Sequence, residues 1–243
     1  MPELHSDFNR VLSKAFVFSI LGTMLCVLFG AFSDVLAIYM MEKPAAALLA
    51  HQAITLKALS GNAILFAAPI LATIPFSGAF VEDVKSGYLK QILPRTTVSR
   101  YIFGKELACA VSGFLTLTLG ILAGHVVVSL IVLPAETFGE AAVQSQLGDL
   151  VGKIVLFGCA GALWAMLGML LSTVTMNTYM AYAAPFILYY VLIILQERYA
   201  RDFFMLNPQN YLTLEGPWPF GGWSAGITMA ALRWPSSPVV CAS

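Results

Sequence analysis

The sequence predicts an all-α, polytopic membrane helical bundle of five to six transmembrane helices, with an amphipathic interfacial helix at its N-terminus. Three observations lead there. Of 243 residues, 59% are hydrophobic and 11% are charged, where an ordinary soluble domain carries roughly a quarter charged residues. The mean hydropathy is +0.81. The apolar residues also fall in separate runs near the roughly 20 residues that an α-helix needs to cross the hydrocarbon core. This composition is far too apolar for disorder and leaves no room for a sizeable soluble domain. Thirteen Lys and Arg balance thirteen Asp and Glu, so no basic excess marks a nucleic-acid binder. Residues 1–243 read as a single transmembrane domain.

In residues 1–15, Leu4, Phe8, Val11, Leu12 and Ala15 recur at helical spacing, with Asp7, Arg10 and Lys14 largely off that stripe. This is the pattern of a helix lying on a membrane surface. The first span, 16–41, is long for a signal-peptide core and no convincing small-x-small cleavage site follows it, so it reads as a retained helix. Asp34 is its one charge and sits near its far end. Residues 42–57, with Glu42, Lys43, Pro44, His51 and Lys57, read as a polar break. The second span, 58–80, contains Pro69 and Pro75, which should kink it.

The segment 81–106 carries Lys85, Lys90, Arg95, Arg100 and Lys105, the densest basic cluster in the chain. The third span, 107–133, contains His125, and the following 134–150 has Glu136, Glu140 and Asp149 but no Lys or Arg. A fourth span, 151–171, opens near Lys153; 172–178 is a short uncharged connection; the fifth span is 179–195. Residues 196–222 form a longer polar segment with Pro208, Pro217 and Pro219. From 223 onward an apolar run restarts but is interrupted by Arg233, Pro235 and Pro238. It reads as an incomplete or atypical sixth span, as a truncation or shifted frame would leave it. The basic loops set the orientation. An inside N-terminus places seven Lys and Arg in the cytoplasm, five of them in 81–106, against five on the other side.

Motifs of soluble catalysis are missing. The segment 148–154 approaches a P-loop, but it is one residue short and has Ile154 where a Mg²⁺-binding hydroxyl belongs. No zinc-protease, nucleophile-elbow or dinucleotide fingerprint is present, and the four cysteines show neither metal nor redox spacing. The expectation is a chain that is not an enzyme and binds no cofactor or metal of its own. Asp34 and His125 are the intramembrane polar candidates, the first as an interfacial acid and the second as a hydrogen-bonded packing residue. Gly120 with Gly124, Gly148 with Gly152, and Gly161 with Ala165 and Gly168 form small-residue faces that let helices approach closely.

Within 81–106, Gly87 permits a turn, and 88–93 suits a short helix with Leu89, Ile92 and Leu93 as apolar contacts. Pro94 ends that helix, and Thr96 or Thr97 is placed to cap the next one. The acidic pair Glu82 and Asp83, then Gly87, Leu89, Leu93, Pro94, Ser99, Arg100 and Lys105 give this loop its character. With these features the chain resembles the type-2 ABC transporter permeases, the membrane subunits of many bacterial ABC exporters. The order of parts resembles that family along most of the chain, and residue-level similarity covers about 25 positions of this loop.

The resemblance implies that 81–106 is a cytoplasmic coupling loop docking on a separate ATPase subunit. Glu82, Asp83, Gly87, Tyr88, Leu89, Ile92, Leu93, Arg95, Arg100 and Lys105 would form or position that contact. ATP and Mg²⁺ would sit on the partner ATPase. It also implies six helices per subunit, a second permease copy or homologous permease, and a partly re-entrant extracytoplasmic segment at 196–222. The location would be the bacterial cytoplasmic membrane, and the substrate hydrophobic or amphipathic, an antimicrobial peptide among the candidates. The tail 233–243 departs from the family pattern. Two other readings stand beside this one: a secondary transporter or channel without ATPase, and a non-transporting immunity or sensor protein.

Overall fold

The computed structural model describes residues 13–40, 49–92, 97–136, 146–199 and 207–213. Among these residues the regular structure is helical, without strands. In chain order the helices are α1 (Lys14–Met40), α2 (Ala50–Leu59), α3 (Asn62–Thr73), α4 (Ala79–Lys85), α5 (Tyr88–Ile92) and α6 (Val98–Val132). A 3-10 turn (Leu133–Ala135) extends α6, and α7 (Leu147–Thr175), α8 (Thr178–Arg198) and α9 (Pro208–Thr213) follow. Four helices among the described residues are long and apolar enough to cross a membrane, or five if the bent pair α2–α3 counts as one span. The protein is a multi-pass membrane protein built as an all-α bundle. The expected interfacial helix falls almost wholly at 1–12, and the expected sixth span lies at 223–243; both are outside the described residues.

The chain divides into two compact units, Met1–Phe186 and Ile187–Ser243. In the first unit, α1 and α6 run side by side in the same direction. Phe16, Ser19, Thr23, Val27 and Ala31 form the buried stripe of α1, spaced three and four residues apart as one helix face requires. That stripe meets Gly120 and Gly124 of α6. A Cβ on Gly120 would lie 2.4 Å from the Thr23 Cβ, and one on Gly124 would lie 2.9 Å from the Val27 Cβ. The opposite face of α1 exposes Phe18, Phe29 and Phe32, as a lipid-facing side does.

Helix α7 returns antiparallel to α6 with the backbones in contact: a Cβ on Gly113 would stand 2.5 Å from the Gly161 carbonyl oxygen. Association of helices in lipid rests on such close van der Waals approach, so the expected small-residue faces at Gly120, Gly124 and Gly161 are the seams of this chain. Gly148 and Gly152 face open space instead. The other unit, in its described part, places Tyr190 edge-on to Tyr189, with ring centroids 6.3 Å apart, and has the Asn207 amide donating to Gln196 Oε1 at 3.5 Å.

Four local expectations need correction. The main break of the second span is a 65° bend between α2 and α3 at Ser60 and Gly61, whereas Pro69 lies inside α3 and Pro75 in the turn after it. Gly61 takes an extended conformation there and starts α3 afresh. The polar break ends earlier than expected, because 50–57 is helical; its polar side chains find partners in other segments of the chain. Thr97 does stand at the N-cap of α6, in extended conformation, but its side chain makes no capping bond; its carbonyl accepts from the Arg100 and Tyr101 N–H groups. The connection at 172–178 is shorter than expected, since α7 continues to Thr175 and turns through Met176 at φ 51°.

Candidate functional site

Polar and charged side chains gather at the two ends of the first unit. At the end where α1 begins, Phe76 and Ala79 pack with Phe16, Ala108, Cys109, Ala165 and Met169. Ser77 fixes the α3–α4 turn to α7: its hydroxyl donates to the Ala165 carbonyl at 3.0 Å, and Ser172 Oγ lies 3.2 Å from the Ser77 carbonyl. From this anchor α4 and α5 extend, joined through Gly87 at φ +75°. No atom lies within 4 Å of where a Gly87 Cβ would stand. The turn therefore needs glycine for its backbone angle and not for space.

Beneath that turn lies a buried ion pair. Lys105 Nζ is 2.7 Å from Asp83 Oδ2, with the two side chains 1% and 2% exposed. The Tyr101 hydroxyl donates to the same oxygen at 2.7 Å. The ammonium also lies over the Phe76 ring, 5.3 Å from its centroid, and over the Tyr101 ring at 5.7 Å. Charges are tolerated in such surroundings only when paired and hydrogen-bonded. Asp83 and Lys105 thus face inward and hold α4 to α6. Of the loop's expected charged flanks, this pair is turned inward.

The remaining loop residues fall into place around this pair. Glu82, Lys85, Lys90 and Arg100 are exposed, and Tyr88 and Leu89 are half-buried. Ile92 ends α5; Leu93 and Arg95 lie outside the described residues. Beside α4 a cavity of 280 Å³ is lined by Ser13, Pro75, Gly78, Glu82 and Tyr182, among others.

The opposite end was largely unread in the sequence. Glu136, just past the 3-10 turn, reaches the start of α2. Its Oε2 accepts from the Leu49 N–H at 3.2 Å, and its Oε1 accepts from the His51 N–H at 3.0 Å. His51 Nδ1 is 2.8 Å from Oε1; a carboxylate only accepts, so the ring nitrogen donates. Glu136 thereby caps α2 from another part of the chain, satisfying N–H groups that a helix start leaves without partners and placing a negative charge at its positive end. Burial pushes the Glu136 carboxyl up, but the bonds from the His51 ring and backbone, the His51 charge and the Leu49 N–H together hold it below the ordinary carboxylate value.

His125 on α6 joins the same cluster. The Thr55 hydroxyl donates to the His51 carbonyl at 2.8 Å. A hydroxyl has one proton to give, so His125 Nδ1 donates to Thr55 Oγ1 across 3.0 Å. The two imidazole rings stand 5.7 Å apart. Asp34 bonds Lys57 of α2 at 2.6 Å, Lys153 of α7 donates to Ser60 at 2.9 Å, and the Gln146 N–H donates to buried Gln52 Oε1 at 3.0 Å.

The structure thus places Asp34 and His125 on the two sides of α2. The missed residues are His51 and Glu136; the four-residue spacing of His51 and Thr55 is the one sequence signal of a helical face there. No group of three or more His, Cys, Asp or Glu side chains among the described residues is arranged to hold a metal. No family model, curated protein or solved structure matches the chain.

Proposed function

We propose that this chain is the membrane subunit of an ABC exporter, which couples ATP hydrolysis on a separate ATPase subunit to the export of a hydrophobic or amphipathic substrate. The observation that carries the reading is α5. It is a five-residue helix set off by the Gly87 turn and joined, through α4 and the Asp83–Lys105 pair, to the first turns of α6. A push on α5 would reach α6 through that pair, because breaking it would strand a buried charge. The exposed Glu82, Lys85, Lys90 and Arg100 and the half-buried Tyr88 and Leu89 supply the surface an ATPase would meet.

On this reading the N-terminus and 81–106 are cytoplasmic, the membrane is the bacterial inner membrane, and a second permease copy or a homologous permease completes the path. The segment that the resemblance assigns to the extracytoplasmic side, 196–222, lies largely outside the described residues. ATP and Mg²⁺ belong to the partner, and this chain itself is not an enzyme.

The test is a mild-detergent pull-down of the tagged protein from its native membrane, with mass spectrometry of what comes along. A stoichiometric P-loop protein is expected, lost with Leu89→Asp while membrane insertion persists. Absence of an ATPase under conditions that preserve a control ABC complex would overturn the proposal. The broken pair α2–α3 favours a second reading, a secondary transporter, since such proteins place sites at discontinuous helices. Transport that follows an ion gradient without ATP would select it.

A further inference from the structure

Helix α2 differs from the other helices that build the first unit. It is ten residues long and meets α3 at the 65° bend; next to the bend Ala58 and Leu59 are buried, with Ala58 against Gly30 of α1, while its first turns are held largely by polar side chains. Glu136 holds its first turn by three contacts, the His125–Thr55 bond and the Gln52–Gln146 bond hold its inner face, Asp34 holds Lys57, and Lys153 holds Ser60. Polar ties of this kind exchange with water at modest net cost, whereas the glycine seams that join α1 to α6 and α6 to α7 do not.

Two features oppose the fastened position. Leu49, immediately before α2, sits at φ 66°, a left-handed conformation that is strained for a leucine. Its N–H meets Glu136 in that conformation. Asp34 Oδ2 is buried without a hydrogen-bond partner among the described residues, and a buried acceptor left so carries its desolvation cost. Movement of α2 about Ser60 and Gly61 would relieve both.

We infer that α2 is a hinged lid over its end of the bundle and that Glu136 is its latch. Opening frees His125, Lys153 and Asp34 from their partners on this segment and so admits water or a polar group to that end. The device is a property of this chain and does not depend on whether an ATPase drives it.

The test measures lid opening in the full-length protein in detergent micelles, which removes any question of membrane sidedness. In a background with Cys26, Cys159 and Cys241 replaced by alanine, Ile54→Cys places a thiol on the buried face of α2; Ile54 is 8% exposed and makes no polar tie. Native Cys109, fully buried elsewhere in the bundle, reports its integrity. A water-soluble maleimide is expected to label the Ile54→Cys position about tenfold faster when Glu136→Gln is added, the factor that losing roughly 1.4 kcal/mol from a charged hydrogen-bond set imposes on an opening equilibrium. Cys109 stays unlabelled. Adding Leu49→Gly, which accepts the left-handed angle freely, should slow labelling again. An unchanged rate with Glu136→Gln, a rise only in step with Cys109, or no slowing with Leu49→Gly overturns the latch.

Discussion

An ion pair ties each end of the first unit, and the two pairs sit in opposite surroundings. Asp83 and Lys105 are sealed between α4 and α6, 2% and 1% exposed, roofed by two aromatic rings and shared with a tyrosine hydroxyl. Asp34 and Lys57 join α1 to α2 at 2.6 Å, a shorter contact, yet Lys57 is 69% exposed and Asp34 26%. Distance ranks the second pair first; surroundings reverse the order. Water screens an exposed pair and solvates each partner once they separate, whereas a buried partner left alone has nothing to turn to. The α4–α5–α6 end is therefore built to move as one piece, whereas at the α2 end the α1–α2 pair parts readily and the buried Glu136 carboxylate is the tie that resists.

The comparison is broken most directly at the buried pair. Lys105→Ala strands the Asp83 carboxylate and should cost about 3–5 kcal/mol, read as a large drop in melting temperature in detergent. The double variant with Asp83→Ala should recover part of that loss, because the orphaned charge is gone. A single variant that melts like the parent would show that the pair is solvated, and the contrast between the ends would vanish.

A smaller effect is expected from acid acting on Glu136. Its carboxyl is held below the ordinary value in the folded chain by the bonds from His51 and Leu49, which outweigh the opposing effect of burial. Its contribution is thus fully present above the unfolded-state carboxylate pKa and is lost as pH falls through the lowered folded-state value. Labelling at Ile54→Cys should rise towards the Glu136→Gln rate as the pH enters that acid window. Profiles of the two proteins that stay parallel into acid would remove Glu136 from the fastening of α2.

The smallest effect is expected at the exposed pair. Asp34→Asn should change stability by only about 0–1 kcal/mol, as surface pairs do, and the change should shrink in high salt. A loss as large as that of Lys105→Ala would mean that lipid or a partner seals this pair, and would sharpen the comparison into one between two buried ends.

Composition and the length of the apolar runs determined the class of the protein. Spans α1, α6, α7 and α8 follow from them, because lipid demands continuous apolar helices whose backbone groups bond within themselves. The Gly87 turn, the short helix after it and the close seams at Gly120 and Gly161 were equally legible, since each rests on local backbone angles or side-chain size. Residue identity could not tell that Asp83 and Lys105 face each other, because the loop's other charges look the same along the chain and only packing against Phe76 and Tyr101 sorts inner from outer. Nor could it make a helix of 50–57, where His51, Gln52, Thr55 and Lys57 look like solvated loop. Their partners come from Glu136, Gln146, His125 and Asp34, far away in the chain. A polar side chain in a membrane bundle is decided by what stands opposite it, and only the tertiary structure brings the opposite side.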